Sequence, residues 1–198
     1  MTDPSIGALS SRVQAAYEVS PAPGVLKRQD YLAVNVRLGE STINFGAGPT
    51  IAPIIGAGMW LRRDAFLENI PWRQPETLLA DRTGTSLTSG GDSEFGFLLG
   101  RAGFSRVYEP HVRIAHLIPK SRVQSRYFFR LIVGNIRSDF TLRKKYLNYQ
   151  HTFLRQLYEL LKVILTIIQF LAAPFQPDGF RERFFILAGR WAQFKGPF

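Results

Sequence analysis

The chain has 198 residues, 45% of them hydrophobic and 13% aromatic, which suits one sizeable buried core and excludes a globally disordered protein. It has no cysteine, which excludes a disulfide scaffold and any thiolate site. The formal net charge of +10 is uneven: residues 1–100 carry 8 Lys or Arg against 10 Asp or Glu, and residues 101–198 carry 17 against 5. A basic half beside apolar stretches suits an anionic partner (phosphorylated substrate, anionic lipid or nucleic acid), or is simply a solvated surface.

Near the start, Ile6, Leu9, Val13 and Ala16 recur at helical spacing and predict a short amphipathic helix. An element that begins with no lead-in is the expectation for a piece of a longer protein. Met1-Thr2-Asp3-Pro4 lacks the basic-then-apolar pattern of a secretory leader. Pro21-Ala22-Pro23-Gly24 breaks the first pattern, and residues 31–38 alternate weakly, as a strand would. Residues 53–63 read as a buried strand whose glycines mark a close approach. Asp64 is placed to cap a short helix that stops before Pro71.

A polar, glycine-rich stretch from Thr83 to Gly91 then leads into a helix over 93–101, with Phe95, Leu98 and Leu99 on one face and Gly103 as its stop. Val107-Tyr108 and Val112-Arg113-Ile114-Ala115 read as two short strands around Glu109-Pro110, and residues 122–136 as a helix with a basic face. The tail is strongly apolar, but its uncharged run, residues 163–175, is only 13 long. A spanning helix needs about 20. The expectation is a helix lying on a membrane surface or packed on the protein, a full span that uses the charged flank being the lesser alternative, with residues 181–195 as a second basic, aromatic, amphipathic segment.

Asp92 and Glu94 stand at the predicted helix start, where a carboxylate meets free N–H groups and the positive end of the dipole. Such a group serves as a general base toward a hydroxyl, or merely caps the helix, as Ser89 would too. Gly90 and Gly91 beside it would let a substrate approach. His116, before an Ile-Pro break, suits a metal or a phosphate, or is a satisfied structural histidine. Lys120 and Arg122 follow a proline turn and suit phosphate, or are two more surface cations. Trp60 offers a flat face to a sugar ring, or is a core aromatic. Gly46-Ala47-Gly48 and Gly56-Ala57-Gly58 match neither the dinucleotide fingerprint nor the phosphate loop. No esterase, zinc-finger or RNA-recognition signature is present, so a nucleic-acid partner has only charge behind it and is not expected.

These segments together, Gly56-Ala57-Gly58-Met59-Trp60-Leu61-Arg62-Arg63, Gly90-Gly91-Asp92-Ser93-Glu94, Arg101-Ala102-Gly103-Phe104, Tyr108-Glu109-Pro110 and His116-Leu117-Ile118-Pro119-Lys120-Ser121-Arg122, carry a resemblance. In that order they resemble the C-terminal, acceptor-side half of bacterial family 2 glycosyltransferases. The likeness is nearest to those of cyanobacterial exopolysaccharide assembly, such as the hormogonium polysaccharide group. The resemblance covers residues 1–145 and implies an α/β chain with part of a GT-A fold; residues 146–198 would be a membrane-associating helical tail.

The resemblance further implies inverting transfer from a nucleotide-diphosphate sugar to a glycan or lipid-linked acceptor, with Mg2+ or Mn2+. The enzyme would sit in the cytoplasm, peripheral at the inner face of an anionic membrane. Asp92 matches the family's base, with Gly91 where glutamate is commoner. Glu94 would assist it, His116 and Arg122 would lie near metal and diphosphate, and Trp60, Gly90, Gly91 and Lys120 would line the substrate. The chain has no Asp-x-Asp, the family's metal motif. The nucleotide-binding half that carries it would lie outside these residues. A non-catalytic membrane-surface binding protein derived from such an enzyme is the alternative.

Overall fold

The computed structural model describes residues 3–79, 90–150, 152–172 and 177–195. The expected polar loop at 83–89, Ser89 included, lies outside them. The chain is mixed α/β and divides into two compact units. Residues 3–16, 32–79 and 90–118 form the first, and residues 17–31 with 119–195 form the second. The segment 125–145, expected with the first domain, belongs to the second unit.

The first unit is built on a four-stranded sheet in the order β2-β4-β1-β3. Its strands are β1 (Ile6–Tyr17), β2 (Ile43–Asn44), β3 (Met59–Leu61) and β4 (Ser105–Ile118). β1 pairs antiparallel with β3, Leu9 opposite Trp60, and β4 pairs antiparallel with β2, Tyr108 opposite Ile43. Thus the helix expected from Ile6, Leu9, Val13 and Ala16 is a strand. β1 lies between two neighbours and is buried without a break over residues 10–13, so the period-two signal is erased. The two short strands expected around Pro110 are one strand of 14 residues. Pro110 is tolerated because β2 has already ended opposite Tyr108.

Residues 31–38 are not a strand. They hold parts of two single helical turns, Gln29–Leu32 and Val36–Leu38, separated by Ala33 in the left-handed region at φ +59°. Asn35 nonetheless extends the sheet. Its Oδ1 accepts the Val13 N–H at 2.7 Å, its own N–H donates to the Val13 carbonyl at 3.3 Å, and its Nδ2 donates to the Ser11 carbonyl at 2.9 Å. Only Met59–Leu61 of the strand expected over 53–63 forms.

Two helices complete this unit: α2 (Arg63–Asn69) and α3 (Gly91–Arg101). Asp64 lies inside the first turn of α2 and makes no cap; the N-cap position is Arg62. α2 ends before Pro71, as expected. α3 ends with Gly103 at φ +94°, a conformation glycine adopts without strain. Arg106 fastens α3 to β4. This guanidinium is fully buried and donates to the carbonyls of Gly48, Thr50 and Gly96 and to the Thr50 hydroxyl, the shortest at 2.8 Å. Burial without a carboxylate lowers its pKa from the ordinary value.

The second unit is helical: α1 (Pro23–Leu26), α4 (Ser125–Leu147), α5 (Phe153–Ala172) and α6 (Pro177–Lys195). α6 packs on α1, α4 and α5. Phe128 of α4 meets Phe185 of α6 edge to face at 5.1 Å, and Phe129 stacks on Phe184 at 5.0 Å. α5 turns Val163 inward at 4% exposure and leaves Leu154, Leu157, Leu161, Leu165 and Ile168 exposed. No helix among the described residues is long and apolar enough to cross a membrane.

Candidate active site at the N-terminus of α3

The turn Gly56-Ala57-Gly58 joins two features. On one side stands Asp92, in the first turn of α3, whose Oδ2 accepts the Gly56 N–H at 2.8 Å. On the other, the Gly58 carbonyl accepts the Ser11 N–H at 3.0 Å. Gly58 sits at φ +72°, and a Cβ there would press to 2.8 Å on Ile114 and 3.1 Å on Ser11. Glycine is therefore required twice over, by conformation and by space. The close approach expected from the sequence is that of β1 and β4 to this turn.

β3 follows the turn directly and carries Trp60. Its Nε1–H donates to the Ser11 hydroxyl at 3.0 Å while 54% of the residue stays exposed. One end of the indole is fixed and its body faces water, so Trp60 is a surface platform rather than a core aromatic. Ile114 lies against the Ser11 and Gly58 side, and His116, two residues on in β4, lies on the same face of the strand, half-buried.

Both oxygens of Asp92 are engaged. Besides Gly56 on Oδ2, Oδ1 accepts the Ser93 N–H at 2.7 Å. Oδ1 also accepts the Ser93 hydroxyl at 3.5 Å, so the free lone pair lies on Oδ2, and the residue is partly buried. The two N–H bonds thus orient the carboxylate without closing it off. Gly90 is buried and its carbonyl accepts the Glu94 N–H at 2.8 Å, which starts the helix. Among the described residues, a Cβ at Gly91 would meet nothing within 4 Å.

Glu94 differs from its neighbour. It is fully buried, and its Oε2 accepts the Leu79 N–H at 2.6 Å. It holds the Leu79 N–H and does not reach the surface, so it is a positioning group. Lys120 and Arg122 belong to the second unit, in a single helical turn, Lys120–Val123, before α4. Lys120 is exposed, and its backbone N–H donates to the Glu18 carboxylate at 2.7 Å.

A metal needs several hard or borderline ligands at once. Among the described residues no three His, Cys, Asp or Glu side chains converge where they could hold one. Asp92 spends a lone pair of each oxygen on a backbone N–H. These residues therefore do not fit a Mg2+ or Mn2+ site, and His116 would need co-ligands from outside them.

Sequence reasoning missed Arg106, Asn35 and Ser11, three of the buried polar residues that hold the frame of this site. None falls in a motif; an arginine between Ser105 and Val107 has no local mark of burial. No protein-family model, no curated protein and no solved structure matches the chain.

Proposed function

We propose that this chain is the acceptor-side part of a family 2-like, inverting glycosyltransferase of polysaccharide assembly. It would move a sugar from a nucleotide-diphosphate donor to a glycan or lipid-linked acceptor. One observation carries the reading: an oriented, partly buried carboxylate, Asp92, and a half-exposed indole, Trp60, flank the same glycine turn. Indole faces take the apolar side of a pyranose, and a fixed carboxylate takes a hydroxyl proton.

In this reading the acceptor sugar lies on Trp60 and its hydroxyl meets a free lone pair of Asp92. The proton passes to Asp92 as the acceptor oxygen bonds to the anomeric carbon of the donor. The nucleoside diphosphate leaves from the opposite face, which inverts the centre. Glu94 and Gly56 keep Asp92 in register. No step is routed through a metal, because the described residues do not complete a site for one.

The exposed apolar stripe of α5 supports peripheral binding at a membrane surface; Lys162, over the Tyr158 ring at 3.9 Å, is itself paired with Glu159 at 3.1 Å. The same stripe, with the lack of a converging ligand set among the described residues, supports a second reading: a non-catalytic membrane-surface partner protein.

Acceptor binding by this chain, and transfer by an intact enzyme that carries the same residues together with a nucleotide-sugar-binding half, test the proposal. Oligosaccharide acceptors are titrated, then incubated with nucleotide-diphosphate sugars and Mn2+. Saturable binding that Trp60→Ala weakens, with transfer abolished in Asp92→Asn, is the expected result. Vesicle binding with neither acceptor nor donor affinity would reject it in favour of the second reading.

A further inference from the structure

The polarity of α5 is reversed for a helix in water. Its inward side holds Glu159, buried and paired with Lys162 at 3.1 Å, and one turn on the buried Val163. Its outward side is apolar: Leu154, Leu157, Leu161, Ile164 and Ile168 are all exposed, and Tyr158 and Leu165 flank them, exposed too. Among the described side chains of α5, no exposed one is charged. Burying the ions while exposing the apolar side chains is the opposite of what water selects, so the outward face calls for an apolar partner.

The spacing says which kind. Leu154, Leu157, Leu161, Ile164 and Ile168 follow one another at intervals of 3, 4, 3 and 4 residues. That alternation averages about 3.5, the repeat that keeps one seam of a helix facing a second helix. A lipid surface asks for apolar area but sets no such interval, and helices that lie in it carry exposed Lys or Arg beside that area. The area left open on these side chains is roughly 700 Å2, above the largest patch of an ordinary monomer and close to the ~800 Å2 that each partner of a standard interface contributes.

We infer that the outward face of α5 is a homotypic interface, closed in solution by α5 of a second copy of this chain. The face suits its own copy, because no exposed charge among its described side chains would meet its like across the pair. A two-fold pairing closes on itself and ends at two copies. Leu161 lies midway between Leu154 and Ile168, so it meets its own copy whether the two helices run parallel or antiparallel. The face takes one occupant at a time, and a bilayer competes with the second copy for it. The inference rests on α5 alone and stands apart from glycosyl transfer.

Sedimentation of the whole chain in lipid-free buffer, together with thiol cross-linking, tests it. The native chain is expected at twice its 22.4 kDa, and Leu161→Asp at the single mass. The chain has no cysteine, so an introduced thiol is its only one. Under oxidation by copper–phenanthroline, Leu161→Cys is expected to form a covalent pair. Gln156→Cys, exposed on α5 but off the seam, is expected to form none, since a disulfide needs Cα atoms within about 7 Å. A native chain that sediments as a monomer at every concentration overturns the inference and leaves the face to lipid. A pair that persists in the folded Leu161→Asp variant overturns it as well, by placing the contact elsewhere, as does equal cross-linking of the two cysteine variants. Should Leu161→Asp unfold, the cysteine variants decide.

Discussion

Asp92 reaches from the first turn of α3 to the Gly56 N–H at 2.8 Å, and a Cβ on Gly56 would stand 3.4 Å from the same carboxylate oxygen. The glycine thus both holds the acid and leaves it uncrowded. Because the next glycine of the turn abuts Ser11 and Ile114, the position of Asp92 is referred to the sheet and not only to its own helix.

Asp92→Asn retains an oxygen acceptor for the Gly56 N–H but loses basicity. Transfer is expected to fall by about 10²–10⁴ with acceptor affinity nearly unchanged. Asp92→Ala also strands the Gly56 N–H and should lower unfolding free energy by about 1 kcal/mol. Turnover assays beside urea titrations separate the two effects, and an Asn variant that turns over normally would remove Asp92 from the chemistry.

Trp60→Ala is expected to weaken acceptor glycan binding by about tenfold or more, a typical loss for a stacking aromatic anchor. Its melting temperature should move little, since the side chain is 54% exposed. Trp60→Phe keeps a ring but loses the bond to the Ser11 hydroxyl at 3.0 Å, so affinity should fall between the two. Indole fluorescence is unsuited to reading these variants; calorimetry with an oligosaccharide measures them directly.

Gly100 and Gly91, both in α3, should behave oppositely. A Cβ at Gly100 would overlap the buried Arg106 guanidinium and the Gly48 carbonyl. Gly100→Ala is therefore expected to cost about 3 kcal/mol or more, the scale of a disrupted buried polar network. At Gly91 a Cβ would meet no described atom within 4 Å. Gly91→Ala is expected to be neutral or to add about 0.5–1 kcal/mol through a less flexible unfolded chain. Chemical denaturation of both proteins checks the contrast.

Glu109 gives the fold a handle on acidity. The His111 N–H, the His111 ring and the Thr42 hydroxyl hold its pKa below the ordinary 4.5. A carboxyl depressed in the folded state stabilises above its unfolded pKa and loses that contribution as pH falls through the folded value. Glu109→Gln should thus melt below the native protein at pH 7. The difference should close as pH drops below about 4.5. Melting curves at pH 7 and pH 3 test it; a gap that widens in acid would contradict it.

Leu161→Asp is expected to abolish binding to vesicles containing phosphatidylglycerol while leaving the melting temperature unchanged. Leu161 is 51% exposed on a stripe from Leu154 to Ile168. At 1.5 Å per residue that stripe is about 21 Å long, enough to lie along a bilayer but not to cross it. Co-flotation with vesicles reads the effect, and undiminished flotation of the folded variant would sink the membrane-surface reading.

What the sequence disclosed depended on whether a signal was local. α3 was legible because its glycines, its apolar face and its stop at Gly103 all lie within a dozen residues. The end of α2 before Pro71 was legible for the same reason. β1 was not, because the segments packed around it are met much later in the chain, and the unbroken burial of residues 10–13 looks the same at a period of 3.6 as at a period of 2. Asp92 was legible by position, while its partner Gly56 lies 36 residues away. Glu94 looked equivalent to Asp92 in the motif; its burial and its bond to the Leu79 N–H, 15 residues away, separate an inward acid from an outward one.

Asn35 leaves one more mark on the behaviour of this protein. By occupying both backbone groups of Val13, it finishes the flank of β1 just where β3 has run out. A bare flank there would invite a strand from another molecule and seed aggregates. Asn35, through its side-chain carbonyl and its own N–H, leaves Val13 no backbone group there for such a strand to pair with.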